Sequence, residues 1–94
     1  MTSGLVYMYS RNGVCAYVGK AMGVYSAASV LNNRHKAHMR GDLAFDRVLQ
    51  ALPHDLTLVY AARGIGHAFH HHIRNIERLA IQAYHPAHNV TFVQ

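Results

Sequence analysis

The residue whose type and position most clearly suggest chemistry is Glu77, the only glutamate in the chain. It lies in the stretch Ile73–Tyr84, whose apolar residues recur with the period of a helix. Glu77 falls on the apolar side, one turn from Ile73 and Ile81. A carboxylate that faces a core costs several kcal/mol unless a partner offsets its charge. Its position therefore predicts either a metal site or a structural ion pair.

A second helix is predicted from about Ala27 to Arg40, because Ser26 suits its N-cap and Gly41 its C-terminal stop. Arg34 and His38 lie one turn apart on the apolar side of this helix, the side expected to pack against the rest of the protein. Two readings remain open. Either the end of the helix is exposed and both side chains extend to water, or both groups belong to a functional site.

An Asn-Gly step at positions 12 and 13 predicts a tight turn between two strands, Gly4–Ser10 and Val14–Gly19. This hairpin carries Tyr7 and Tyr17. The type of turn decides whether the two phenols share a face, and tyrosines in a hairpin are more often packing residues.

The remaining elements follow from local signals. Gly19 precedes Lys20–Tyr25 and Gly23 lies within it, and the segment is predicted to be a loop. A short helix is predicted to start near Asp42, with Phe45, Val48, Leu49 and Leu52 buried. It is followed by a central third strand over Leu56–Ala62 and a helix over His67–Tyr84. The tail from His85 to Gln94 ends in an extended VTFV piece. The order ββααβα predicts an α+β sandwich, in which helices flank a three-stranded, mainly antiparallel sheet. With 94 residues, we expect one domain over 1–94.

Composition narrows the partners and the compartment. Nine Lys and Arg against four acidic residues give a net charge of +5. Such an excess favours a polyanion, most commonly nucleic acid, although a solvated basic surface would look the same. The single cysteine, Cys15, cannot form an internal disulfide, so a reducing compartment is expected. Because no apolar run is long enough to span a membrane and no signal peptide is evident, we expect an intracellular, cytoplasmic protein.

If both helices cover the same sheet, these groups could converge. A carboxylate can hold a hard divalent cation, and an arginine is a fitting donor to phosphate oxygens. Together with a histidine and phenols, they indicate metal-assisted phosphoryl chemistry. A structural ion pair between Arg34 and Glu77 is the alternative. His67 and His71 have a spacing that can chelate zinc, but they lie on the polar side of their helix without a persuasive third ligand. These histidines are read instead as a solvated face near a phosphate backbone.

In order along the chain, these residues resemble the GIY-YIG nuclease domain. Leu5-Val6-Tyr7 resembles the first motif, and Tyr17-Val18-Gly19 the second. Arg34 with His38 is similar to the helix motif, Glu77 to the metal-binding glutamate, and Asn89 to the C-terminal asparagine. The resemblance covers nearly the whole chain. Leu5 departs from the glycine of the family motif, and the loop over Met22–Ser26 is longer than in many members.

The resemblance implies a role for each residue. Tyr7 would act on the attacking water as its base or orienter, Tyr17 would position that water or the phosphate, and Arg34 would stabilise phosphate charge. His38 would assist proton transfer or contact the phosphate, Glu77 would hold one Mg²⁺ or Mn²⁺, and Asn89 would fix the local backbone. Gly19, Lys20 and Arg40 are expected to contact the substrate.

The function that the resemblance implies is a one-metal DNA endonuclease, leaving 5′-phosphate and 3′-hydroxyl ends. A non-catalytic nucleic-acid-binding or assembly module on the same scaffold is the alternative, and an RNA-directed nuclease is a weaker one. Without a separate DNA-recognition domain, the protein would read branched DNA, cut with low sequence specificity, or borrow specificity from a partner. It would act as a monomer or a homodimer, and its free-standing format suits a phage or mobile element.

Overall fold

A computed structural model describes residues 1–41 and 43–89. The elements are β1 (Thr2–Arg11), β2 (Val14–Gly23), α1 (Ala27–Arg40), α2 (Ala44–Ala51), β3 (Asp55–Gly64) and α3 (Gly66–Tyr84). Their order and the antiparallel three-stranded sheet confirm the predicted α+β fold. Within the described ranges, none of the helices is long and apolar enough to cross a membrane. Asp42 and the predicted VTFV piece lie outside the described residues.

The sheet has the order β2-β1-β3, so its central strand is β1. The prediction that the third strand is central was wrong. Residues Ser3–Tyr7 of β1 are buried without interruption, as expected for a strand covered on both faces. No residue of β3 is fully buried, because the helices pack mainly on β1 and β2. Its apolar composition suits a half-covered edge strand as well as a central one.

The β1–β2 hairpin places both phenols on one face. Asn12 and Gly13 both have positive φ, 54° and 77°, as a two-residue turn requires. In the resulting register Tyr17 lies opposite Tyr9, and Gly19 lies opposite Tyr7. The strand β2 continues to Gly23, so the predicted loop over residues 20–25 was wrong for its first four residues. They pair with β1 despite the glycine, and the connection to α1 is correspondingly short.

Each face of the sheet has its own core. On one face, α1 and α2 pack on β1 through the buried residues Leu5, Tyr7, Tyr9, Val30, Phe45 and Leu49. On the other face, α3 packs through Val6, Val18, Phe69, Ile73, Ala80 and Ile81. Leu52 was predicted to be buried but is 42% exposed, because α2 ends at Ala51 and Leu52 leaves the helix with extended backbone. Functional groups on α1 and α3 can therefore meet only at an edge of the sheet.

The predicted bounds of α1 are confirmed by its caps. The Ser26 hydroxyl accepts a hydrogen bond from the Ser29 N–H, and Gly41 follows the helix with a φ of 88°, which glycine adopts without strain. The start and direction of α1 fix where Arg34 and His38 project.

Candidate functional site

A hydrogen-bonded chain of three buried side chains forms the floor of the site. The Tyr7 hydroxyl lies 2.7 Å from Nε2 of His38, and Nδ1 of His38 lies 2.6 Å from a carboxylate oxygen of Asp46. Tyr7, His38 and Asp46 are exposed by only 2%, 3% and 0%. The reading in which His38 extends to water was therefore wrong. Because both ring nitrogens are occupied, His38 is placed to move a proton rather than to contact a phosphate.

Asp46 was not anticipated from the sequence. It is the third residue of α2, and its second carboxylate oxygen accepts the Leu43 N–H at 2.8 Å, which caps the helix. One signal was available, since Asp46 lies only about 60° from Leu49 around the helix, on the edge of its apolar side. The sequence offered no means of seeing that α1 would place an imidazole against that edge.

We predict that Asp46→Asn lowers the free energy of unfolding by about 1–3 kcal/mol. The asparagine would keep the side-chain shape but replace charge-assisted hydrogen bonds by neutral ones, next to a buried imidazole. Thermal denaturation followed by circular dichroism measures the change. Asp55→Asn, an equal loss of charge at an exposed position, is the control, and equal melting of both variants would contradict the prediction.

Glu77 reaches the edge of β2 from the opposite face of the sheet. Its half-buried carboxylate interacts with the backbone N–H of Lys20. Burial raises the pKa of Glu77, and the charges of Lys20, Arg74 and Arg34 offset only part of that rise. The carboxylate is thus close to three cations, yet the only ion pair among the described residues joins His38 and Asp46. The alternative of a structural Arg34–Glu77 salt bridge is not seen.

Gly19 separates these two groups of residues at the edge of the sheet. A Cβ atom at this position would lie 2.5 Å from the Tyr7 hydroxyl and 2.9 Å from a ring carbon of Tyr17. The absence of a side chain is what lets the Tyr7 hydroxyl lie directly beneath β2. Glycine at position 19 therefore provides space for the two phenols.

The electrostatics of the phenols show that the site is shared between the faces. Burial raises the pKa of Tyr7 far above its ordinary range, with Tyr17 as the next cause. Burial also raises the pKa of Tyr17, followed by the charge of Glu77, while Arg34 lowers the pKa of both phenols. Glu77 and Arg34 thus act on the same two hydroxyl groups from different helices. The ring of Tyr17 stacks on Phe45 at 4.7 Å, which fixes its orientation.

A second phenol–imidazole pair lies beside the first. The Tyr9 hydroxyl is 2.7 Å from Nδ1 of His35, and the Tyr9 and Tyr7 rings are 5.9 Å apart. Burial raises the pKa of Tyr9 to about 12. No carboxylate continues this pair within the part of the chain that the structure describes, so it lacks the third member of the Tyr7 chain.

Asn89 ties the C-terminal segment to β2. Its amide oxygen accepts the Val18 N–H at 2.8 Å, and its amide nitrogen donates to the Val18 carbonyl at 2.7 Å. The preceding residues Ala87 and His88 donate backbone N–H groups to the carbonyls of Cys15 and Ala16. Asn89 thus holds the outer edge of β2 immediately before Gly19.

We predict that Asn89→Asp costs about 1–3 kcal/mol of folding stability. The aspartate keeps the acceptor for the Val18 N–H but sets a second oxygen against the Val18 carbonyl, in a place only 8% exposed. Chemical denaturation gives the free energy of unfolding, and hydrogen exchange at the Val18 amide reports the local loosening. Asn75→Asp, on the exposed side of α3, should change neither.

The remaining expected substrate contacts differ in their placement. Arg34 and Lys20 are exposed beside the site, and both charges act on Glu77. Arg40 is exposed in the last turn of α1, and it is not among the cations that act on Glu77 or the two phenols. The structure therefore brings seven of the expected residues together around Gly19 and leaves Arg40 apart from them. The seven are Tyr7, Tyr17, Lys20, Arg34, His38, Glu77 and Asn89.

The donor set at Glu77 fits a weakly held hard cation. Among residues 1–41 and 43–89, no group of three His, Cys, Asp or Glu side chains could enclose a metal. Mg²⁺ is commonly held by one or two carboxylates and substrate phosphates, with waters completing its shell. A single half-buried carboxylate without a salt-bridge partner suits that mode.

Comparison with known proteins does not extend these observations. No protein-family model matches the chain, and neither a curated protein nor a solved structure matches it. The GIY-YIG resemblance therefore stays a prediction from the motifs.

Proposed function

We propose that the protein is a metal-dependent DNA endonuclease that hydrolyses phosphodiester bonds and leaves 5′-phosphate and 3′-hydroxyl ends. The observation that carries the proposal is the buried Tyr7–His38–Asp46 chain. Its phenol ends beneath Gly19, where Glu77 and Arg34 approach from opposite faces of the sheet. This arrangement joins a proton acceptor to groups that bind a cation and a phosphate.

The proton acceptor is the relay rather than a free phenolate. Because burial raises the pKa of Tyr7, its hydroxyl keeps its proton near neutral pH. As a water attacks phosphorus, that water gives its proton to the Tyr7 oxygen while the phenolic proton passes to Nε2 of His38. The Nδ1–H group of His38 donates a hydrogen bond to Asp46, and the Asp46 carboxylate stabilises the resulting imidazolium. The bond between phosphorus and the 3′ oxygen breaks, and the leaving 3′ oxygen takes a proton from solvent.

The groups at the mouth of the site bind the phosphate and the water. Arg34 donates to the non-bridging oxygens, on which charge accumulates. Tyr17, which keeps partial solvent access, orients the attacking water. Glu77 would hold one Mg²⁺ or Mn²⁺, which when bound lowers the pKa of a water and offsets phosphate charge. Lys20 provides a further contact to the DNA backbone.

The alternative function, a binding or assembly module without catalysis, predicts a different use of Glu77. In that case the carboxylate would be closed off by Arg34 in a salt bridge. The described residues contain no such pair, and the half-buried carboxylate retains access to solvent. This favours hydrolysis. Since Cys15 is a free thiol, we also propose a reducing, intracellular compartment.

Cleavage assays on linear, supercoiled and branched DNA, with RNA in parallel and Mg²⁺ or Mn²⁺ titrated, test the proposal. We expect metal-dependent nicking of DNA and 5′-phosphate ends detected by ligation. DNA binding without cleavage in either metal would support the non-catalytic module instead. Faster cleavage of RNA than of any DNA would identify an RNA-directed enzyme.

A further inference from the structure

A groove of about 500 Å³ lies between β2 and the first half of α3, outside the hydrolytic residues. Its polar lining consists of Lys20 from β2 and of His67, His70, His71 and Arg74 from α3. All five side chains are exposed. The groove has no acidic lining residue, and the first turn of α3 contains none. It therefore combines two fixed positive charges with three imidazoles.

We propose that this groove binds the phosphodiester backbone of the DNA strand that flanks the scissile phosphate. The inference rests on the proposed DNA substrate, and it adds the path that the strand follows. Phosphate oxygens require donors and positive charge, and every polar side chain of the groove supplies one of these, or both once an imidazole is protonated.

The groove is continuous with the hydrolytic site. Lys20 and Arg74, which line one end, are the two cations with the largest influence on Glu77. From there the imidazoles follow α3 back to His67. At 1.5 Å per residue, the distance from Arg74 to His67 is roughly 10 Å, enough to span successive phosphates of one strand. A strand whose scissile phosphate lies at Glu77 would leave the site along this line.

Two matched double variants separate the groove from the rest of the surface. His71→Gln with Arg74→Gln removes two groove residues. His72→Gln with Arg78→Gln makes the same chemical changes outside the groove, where His72 contacts the Tyr60 hydroxyl and Arg78 is exposed. All four positions are on the exposed side of α3, so both variants should fold, and circular dichroism verifies this.

Fluorescence anisotropy with a labelled DNA duplex, in EDTA, measures binding without cleavage. We expect the groove variant to bind about tenfold more weakly than the control variant, and the salt dependence of log K to fall by about one to two phosphate contacts. Equal affinity of the two variants would overturn the inference. Heparin or anionic phospholipid vesicles could also compete as well as unlabelled DNA per negative charge. That result would overturn the inference too, because the groove would then be a general anion surface.

The outcome is separable from that of the proposed function. If the wild-type protein nicks DNA but both double variants bind equally, the groove inference fails and hydrolysis stands. If the groove variant alone loses affinity while no divalent cation supports cleavage, the groove stands and the hydrolytic proposal fails.

Discussion

Glu77→Gln is expected to lower metal-dependent DNA cleavage by about 10³-fold or more, since losing several kcal/mol of transition-state stabilisation has that effect. The amide keeps the size of the side chain but removes the carboxylate that, among residues 1–41 and 43–89, reaches the edge of β2. Nicking of supercoiled plasmid at saturating Mg²⁺ gives the rate. Asp55→Asn, the same chemical change at an exposed position, should cut like wild type. Equal rates for Glu77→Gln and wild type would exclude the proposed cation site.

The same substitution should stabilise the metal-free fold. Folding raises the pKa of Glu77, so the ionised carboxylate is less favourable in the folded chain than in the unfolded one. The native state then loses stability as the pH rises from the ordinary glutamate pKa of about 4.3 towards the raised value. Glu77→Gln should melt at a higher temperature than wild type at neutral pH, and the difference should disappear below about pH 4. Mg²⁺ should raise the melting temperature of wild type only.

Tyr7→Phe is expected to lower the cleavage rate by about 10²–10⁴-fold, the range typical for loss of a positioned proton-transfer group. The Tyr7 hydroxyl is the only member of the His38–Asp46 chain that lies at Gly19, so phenylalanine would disconnect the relay from the reacting water. DNA affinity in EDTA should be unchanged. Single-turnover cleavage, measured with anisotropy on the same DNA, distinguishes the chemical step from binding.

Tyr9→Phe is a close control for this change. It removes a phenol–imidazole hydrogen bond of the same length, 2.7 Å, from the same face of the same strand. Each variant should lose about 1 kcal/mol of stability, but Tyr9→Phe should keep its activity within a few-fold. Equal losses of activity in the two variants would mean that the relay serves packing rather than proton transfer.

Local patterns predicted most of the fold. The Asn12-Gly13 turn, the Ser26 and Gly41 caps and the apolar periodicity around Glu77 each specify their structure with nearby residues alone. The position of β3 could not be predicted in this way, because edge and central strands can carry the same apolar residues. The end of β2 was missed for a related reason, since pairing with β1 overrides the turn preference of Gly23.

The site was predictable where a polar residue interrupts an apolar pattern. That signal identified Glu77 and His38. In the structure His38 is buried and Glu77 is half-buried. Asp46 was not predicted to belong to the site because it forms part of an ordinary helix start, where an acidic residue needs no further explanation. Its second hydrogen bond depends on the packing of α2 against α1. The groove could not be predicted from the sequence either, because Lys20 and the α3 histidines are far apart in the chain.

The division of the site between two faces of the sheet has a consequence for the order in which the chain gains function. The Tyr7–His38 contact spans 31 residues and the Val18–Asn89 contact spans 71. Closing such long loops comes late and is entropically costly. A nascent or partly folded chain that displays the hairpin and α1 without Glu77 in place has no complete site. Under the proposed function, recovery of DNA cleavage during refolding should therefore coincide with the docking of α3.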